Sequence, residues 1–498
     1  MKKIVVTFCA FVLLMLTWCN TVMAANDNVS YEQARQVAVS CMSQLSAGAL
    51  DATAEATLVY KISNPVTGVP ALYFFNVEDK GFVIVSGCKA AMPVVGFSDE
   101  GVLDNANFPP NMMAWMEGYA EMVIAAQNQG VQPTDEVAAE WKKFEQGSGA
   151  VFGSTKANLK LMTEKWGQGD NSRPTYNLYC PLLGDQYCVS GCVATAMAQV
   201  MHYWQFPKVG ANRKGYREKY LDENGNLCQR ASVSINFDET FYDYGNMPVK
   251  LTSSSDSTQI KATALLMFHA GVSVDANYGV DGTSAYSQSV PGALNRYFKY
   301  KRGSFVYRAS YSNTNWMNLI RDELDNHRPV MYGGSSPSGG GSDAGGHAFI
   351  CHGYRTDNTN YFAFNWGWDG SADGWFDLST VNGLTPQSYN FCQYQDAIFG
   401  VEPPDDSNIY VGIRQVEPES VELYAAYPNP ATAFVTVPYM VPEGGAALLS
   451  VYDMAGKLVE QIRLAEGRNN AVVNVSAYQK GVYVYRVNGG SPHKFIVQ

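Results

Sequence analysis

Basic residues are scarce: 35 Lys and Arg stand against 46 Asp and Glu, a formal charge of -11 over 498 residues. No block of Lys and Arg is available to neutralise a phosphate backbone, which excludes nucleic acid as a partner. Histidine is scarcer still, with six in the chain and none before His202, so imidazole chemistry is confined to the centre and the C-terminus. A membrane-spanning run is also lacking, because the apolar stretch Ile4 to Trp18 falls short of the ~20 residues a bilayer needs. It follows Lys2 and Lys3 and precedes Val22 and Ala24 at the -3 and -1 positions, the pattern of a secretory signal peptide cut after Ala24. Cys19 follows Trp18, not a small residue, which argues against a lipoprotein cut there. Beyond the signal lie Cys41, Cys88, Cys180, Cys188, Cys192, Cys228, Cys351 and Cys392, too thinly spread for a disulfide scaffold. Core packing must hold the fold.

Four units follow the signal peptide (1-24). Residues 25-150 read as a small mixed domain, with helical spacing in YEQARQVAVSCMSQL and NMMAWMEGYAEMVIAAQ and two strands in ALYFFNVEDKGFVIVSG. That unit contains no histidine and no catalytic constellation. The stretch Glu145 to Lys160, EQGSGAVFGSTKANLK, has the small side chains of an exposed, protease-sensitive linker. Residues 151-403 place helices first and then strand-like runs HAFICHGY, YFAFNW and WFDL, an α+β pattern. An acidic, proline-bearing linker, 404-420, precedes 421-498, whose short alternating runs predict an all-β sandwich.

The chemistry concentrates in GDQYCVSGCVATAMAQVMHYWQFP. Val193, Met197, Val200, Met201 and Trp204 form one apolar helical face, and Ser190-Gly191 stand where a cap belongs, which puts Cys192 in the first turn. There the helix dipole and unpaired N-H groups are expected to lower the thiol's pKa; Cys188, outside the helix, gets no such help. A thiolate nucleophile needs a base. His347 opens a strand directly after a flexible Gly-Ser stretch and shares a face with Phe349 and Cys351, while His352 points the other way. His202 and His269 sit in apolar helical runs, His327 ends a charged helix, and His493 lies in the C-terminal unit, so these four read as structural or solvent-facing. Asn365, bordered by Trp366 and Trp368, is the candidate to orient the base. A turn near Thr356 puts Asn365 opposite His347, and one at Asp357-Asn358 offsets the two by about three residues. Gln186, six residues before Cys192, is the candidate to share the oxyanion with the Cys192 N-H. Cys188-x3-Cys192 lacks a second pair to complete four zinc ligands, and His347-x4-His352 lacks helix context, so neither a metal nor a cofactor is expected.

With these residues assembled, the chain resembles the streptopain family of secreted cysteine proteases and its interpain-type members, through GDQYCVSGCVATAMAQVMHYW, GGHAFICHGY and NWGWDGSADGWFDL. The resemblance implies a papain-like two-subdomain core with Cys192 as nucleophile, His347 as base, Gln186 at the oxyanion, and Asn365 with Trp366 as the orienting pair. It also implies substrate contacts at Ser284 and Gly346, and a cleft-facing loop at Tyr244, where the family often has Trp. The region around YFFNVEDKGFVIVSG is similar to the family's propeptide, which folds on its own and blocks the cleft. The C-terminal unit, with YPNPA, VYDMAGKLV and KGVYVYRV, is similar to type IX secretion sorting domains. Protein and peptide substrates, the chain's own propeptide and the secretion machinery are the implied partners, at or beyond the surface of a Gram-negative cell. The family implies a taste for an apolar side chain before the scissile residue. An inert adhesin or inhibitor built on the same core, and a cell-wall amidase, are the competing readings. Cys188 is left as a structural thiol or as a disulfide partner of Cys180.

Overall fold

The computed structural model describes residues 27-45, 54-145, 158-221, 227-335, 346-381, 384, 395-404, 422-423, 426-441, 447-453, 457-465, 467-487 and 493-498. The signal segment, most of the expected processing stretch (146-157), and linker residues 405-420 lie outside the described residues. Among the described residues no helix is long and apolar enough to cross a membrane.

The N-terminal unit is an antiparallel meander with three helices. Strands β1 (Ala56–Ser63), β2 (Pro70–Val77), β3 (Gly81–Ser86) and β4 (Val94–Ser98) pair in sequence order. Helix α1 (Tyr31–Leu45) turns Ala34, Val37, Ala38, Cys41 and Met42 into the core at helical spacing. Helix α2 (Pro110–Gln129) begins with Pro110, which has no N-H to leave unpaired, and ends at left-handed Gly130, whose N-H donates to the carbonyls of Ala126 and Gln127. Helix α3 (Asp135–Glu145) completes the unit.

In the central unit the short strands β5 (Leu159–Lys160), β6 (Leu182–Leu183) and β7 (Gln186–Tyr187) precede α4 (Cys192–Trp204). A hairpin, β8 (Arg213–Leu221) and β9 (Leu227–Asn236), leads to α5 (Ser257–Ser273), whose Asp256 and Gln259 form a reciprocal capping box. Helix α6 (Val290–Phe298), β10 (Ser304–Tyr307) and α7 (Asn313–Asp325) follow. The second half is a sheet of β11 (Val330–Ser335), β12 (Gly346–Tyr354), β13 (Tyr361–Asn365), β14 (Gly374–Asp377) and β15 (Gln395–Phe399). Helices first and antiparallel strands second match the α+β expectation.

The N-terminal unit packs a core largely of its own, with Val37, Met42, Phe75, Val83 and Trp141, to which Tyr361, Ala363 and Trp375 of the central unit are added. Its β4 pairs with β14, Trp375 opposite Phe97 and Phe376 opposite Gly96, so that both units share one sheet ordered β1-β2-β3-β4-β14-β13-β12-β11-β15-β10. Helix α2 lies across β11 and β12. Its Trp115 meets Tyr332, Phe349, Phe364 and Trp366 at ring separations of 5.6, 5.8, 5.0 and 6.4 Å. Buried hydrogen bonds cross the same junction: Tyr119 donates to Asp377 (2.8 Å), and Tyr361 donates to the Val94 carbonyl (2.7 Å).

The C-terminal unit has two antiparallel sheets. One joins β16 (Glu422–Leu423), β17 (Phe434–Val441) and β20 (Gly467–Asn474); the other joins β18 (Ala447–Tyr452), β19 (Leu458–Leu464), β21 (Gly481–Val487) and β22 (His493–Val497). Alternating residues Val435, Val437, Leu449, Val451, Tyr485 and Phe495 fill the space between them, as a sandwich requires.

Candidate active site

Helix α4 starts at Cys192 because the chain turns sharply one residue earlier. Gly191 adopts φ 87°, and a Cβ there would fall 2.7 Å from the Thr283 carbonyl oxygen, so only glycine fits. The loop 279-284 is stitched to this turn: Val189 N-H donates to Gly279 O (3.0 Å), and Thr283 Oγ1 donates to Val189 O (2.6 Å). Ser284, just beyond, is exposed and bridges to Asn277.

The backbone N-H groups of Ala348, Val193 and Cys192 itself lie near enough to the thiol to favour its anion. Ala348 directly follows His347, so α4 and β12 meet at the Cys192 sulfur. Burial pushes the thiol pKa up, and the three N-H groups that favour thiolate do not overcome it. The helix start alone pointed to a lowered pKa. In this structure desolvation prevails. Burial likewise pulls the His347 imidazole below its usual value, and among the described residues none hydrogen-bonds its ring. Gly346, at the mouth of β12, is exposed.

Asn365 is not brought to His347. The register pairs Ile350 with Asn365 and Gly334 with His347, the three-residue offset anticipated for a turn at Asp357-Asn358. Three is odd, so strand parity sets Asn365 on the Ile350 face and His347 on the Phe349 face. The Asn365 amide is committed elsewhere: Nδ2 donates to the Glu164 carbonyl (2.5 Å) and to Gln199 Oε1 (3.0 Å), and Oδ1 accepts from Gly367 N-H (2.9 Å). Thr195, Gln199 and His202 on α4 form a polar stripe facing this corner. Gln199 also accepts from Trp166 N-H (3.2 Å), and the buried His202 pairs with Glu164 at 2.7 Å. Burial works to raise the Glu164 pKa, and its bonds to His202 and backbone N-H groups outweigh that and hold it low.

Trp366 is fully buried. Its indole donates to Ala372 O (2.9 Å), its N-H donates to Asp373 (2.9 Å), and its carbonyl accepts from Asn111 Nδ2 (2.6 Å) at the start of α2. Burial raises the Asp373 carboxyl to about 7. Tyr244 corrects another expectation: it is buried, with its ring against His202 and Tyr242 and Lys208 over its face, so it meets no cleft.

Gln186 lies exposed on β7, opposite Leu183 in a tight hairpin. The backbone of a different glutamine lies beside the turn before Cys192: the Gln168 carbonyl accepts from Ser190 N-H at 3.0 Å. Its signal in the sequence is a glutamine between two glycines, Gly167 and Gly169, directly after a buried tryptophan. Cys188 and Cys180 are buried together with Ala276 and Tyr278. Among the described residues no group of His, Cys, Asp and Glu is gathered to hold a metal ion.

Comparison with known proteins follows the same division. Residues 166-376 match the Peptidase C10 family, 26-123 match the Spi protease inhibitor, and 425-498 match the secretion system C-terminal sorting domain, which marks a chain addressed for secretion or the cell surface. The chain is 30% identical to streptopain of Streptococcus pyogenes over 351 residues, 67% of this chain and 81% of that one. It is 30% identical over 370 residues to the thiol protease/hemagglutinin PrtT of Porphyromonas gingivalis, matching 72% of this chain but 40% of that one. The structure of prointerpain A from Prevotella intermedia aligns with a TM-score of 0.55 at 25% identity, covering 71% of this chain and all of that fragment. The chain belongs to the Peptidase C10 family.

Proposed function

We propose that the chain is a secreted cysteine endopeptidase made as a zymogen, with residues 25-150 as propeptide and 151-403 as the catalytic unit. The observation that carries this reading is the Cys192 thiol at the start of α4, beside the backbone N-H of the residue that follows His347. In the latent form α2 covers β11 and β12, and Asn111 is hydrogen-bonded to Trp366. A cut within 145-160 and departure of α2 free the imidazole to meet the sulfur. Cys192 then attacks the peptide carbonyl, and the Cys192 N-H with the Gln168 amide holds the oxyanion. His347 passes its proton to the leaving amine, and water, deprotonated by His347, releases the acyl group and restores the thiol. Asn365 acts as a strut under the site, and the exposed Ser284 and Gly346 border the peptide's path.

The test is Cys192→Ala in the full chain. Casein hydrolysis and covalent labelling by an epoxide warhead are both expected to vanish; retention of either removes the assignment. The inert-adhesin reading predicts that the unsubstituted chain, once cut within 145-160, takes no label. Accumulation of uncut Cys192→Ala protein expressed alone marks self-cleavage, and normal processing of that variant excludes it.

A further inference from the structure

We propose that Asn177 is a positioning residue for the oxyanion site: its buried amide ties the loop that carries Gln168 to the turn that delivers Cys192, and so fixes the Gln168 amide relative to the Cys192 N-H. This rests on the peptidase reading above, with those two groups at the oxyanion.

The two donors arrive on separate stretches of chain, and backbone contact between them is thin. Ser190 N-H donates to Gln168 O (3.0 Å) and Tyr187 N-H to Asn171 O (3.1 Å). Asn177 supplies the rest. Its side chain is fully buried, and Nδ2 donates to Asp170 O (2.9 Å) on the glutamine loop and to Cys188 O (3.0 Å) at the approach to Cys192. Oδ1 accepts from the N-H groups of Asp170 and Thr175, both at 3.2 Å. Asp170 thus meets the amide twice, through its N-H and through its carbonyl, while the remaining Nδ2 hydrogen crosses to the nucleophile's side.

The same amide closes on the loop sterically. Gly169 adopts φ 98°, and a Cβ there would lie 2.1 Å from Asn177 Oδ1; a Cβ on Gly167 would lie 2.3 Å from Asp369 Oδ2. Both neighbours of Gln168 are therefore glycines gripped by buried polar side chains. Gln168 itself is half-buried, and among the described residues no hydrogen bond takes up its side-chain amide. Its placement comes from the backbone of its loop, and Asn177 holds that backbone from behind.

Asparagine is the side chain this junction requires. It presents two donors to two carbonyls and one acceptor to two N-H groups, and a fully satisfied buried network of this kind is rigid. Aspartate would turn a carboxylate oxygen on both carbonyls, and an apolar residue would leave four backbone groups unpaired. Rigidity matters because an oxyanion donor must stand within about 3 Å of the developing charge, and a misplacement of about 1 Å costs roughly 100-fold in rate. The thiol is held independently, at the start of α4 beside the N-H of Ala348 on β12. Loss of Asn177 therefore separates acyl transfer from thiol reactivity.

The experiment uses full chains cut in trans by immobilised wild-type enzyme, carrying Asn177→Ser, Asn177→Ala or Gly169→Ala, the last driving a Cβ into Asn177 Oδ1 from the loop side. Peptide hydrolysis is read as kcat and KM. Thiol reactivity is read separately as the rate at which iodoacetamide alkylates Cys192, a displacement of iodide at saturated carbon that develops no oxyanion. In all three variants kcat is expected to fall about 30-fold or more with KM within about threefold, while alkylation stays within about twofold of wild type. Added to Gln168→Ala, Asn177→Ala is expected to lower kcat by no more than about threefold further, because the donor it positions is already gone. If alkylation falls in step with kcat, Asn177 is merely structural. If kcat stays within about twofold of wild type, or the losses at Gln168 and Asn177 multiply, Gln168 is placed without it. Each of these results overturns the positioning role and leaves the peptidase reading standing. If Gln168→Ala keeps the wild-type kcat, the oxyanion assignment fails and the positioning role with it. If wild type takes no iodoacetamide at Cys192 and cuts no peptide, the peptidase reading itself fails.

Discussion

Trp115→Ala in the full chain tests whether docking of α2 holds the enzyme latent. The ring fills a box made by Tyr332, Phe349, Phe364 and Trp366, all in the catalytic unit, so its removal weakens the contact between units directly. Truncating a buried aromatic to alanine costs about 3-5 kcal/mol. Taking the lower figure, at about 1.4 kcal/mol per tenfold, the undocked population rises roughly 100-fold. The assay is the rate at which an epoxide labels Cys192, read by intact mass so that only uncut chain is counted. A rise of about two orders of magnitude is expected, with a fall in zymogen Tm. Tyr119→Phe is the milder companion, since it removes the 2.8 Å bond to Asp377 and should accelerate labelling about tenfold. If Tm falls in both variants while labelling keeps the wild-type rate, α2 docking does not gate the thiol.

Gln168→Ala is expected to lower kcat about 100-fold or more with modest change in KM, and Gln186→Ala to leave both within about twofold; the reverse outcome returns the oxyanion role to Gln186. Glu164→Gln, in a Cys192→Ala background, should lower stability at pH 7 by about 3 kcal/mol. Because the folded pKa of Glu164 lies below its unfolded value, that contribution is present above pH 4.5 and lost as pH falls through the folded pKa. Urea midpoints of wild type and variant should therefore converge in acid. Asp373 carries the opposite sign: its carboxyl is raised from 3.8 to about 7, so it destabilises increasingly as pH climbs between those values. Asp373→Asn keeps an acceptor for Trp366 N-H and should raise stability at pH 8 by about 2 kcal/mol or more, with no gain at pH 4, as read by denaturant titration.

Periodicity carried the local part of the reading. The α4 face, the strand opened by His347 and the alternating runs of the C-terminal sandwich are each set by residues within a few positions of one another. What escaped depended on pairing between distant segments. Nothing near Phe97 announces that β4 will meet β14, nor does Tyr119 announce a partner 258 residues away. The family's Trp in that loop places Tyr244 at a cleft, yet tilted ring contacts with His202 and Tyr242 hold it inside. The choice of Gln186 used distance along the chain, whereas the hairpin of β6 and β7 turns that residue to solvent and Gln168 arrives from before the excursion. Asn365 failed on parity: both turn positions were foreseen, and a single odd offset moved its amide to the other side of the sheet.

The shifts at Cys192 and His347 have one physical cause with opposite signs. Desolvation disfavours whichever form is charged, so it raises the thiol and lowers the imidazole together. Each shift favours the neutral pair over the thiolate-imidazolium pair that attack on a carbonyl requires. The docked N-terminal unit covers the aromatic face of β11-β13 through Trp115. Once α2 departs, the N-H groups of Ala348 and Val193 still point at the sulfur, and the helix dipole still favours an anion there. The groups that favour thiolate belong to the catalytic unit and remain when the N-terminal unit leaves. On the zymogen proposal, the N-H groups that favour thiolate are already in place at α4 before any cut, and activation has only to uncover the site.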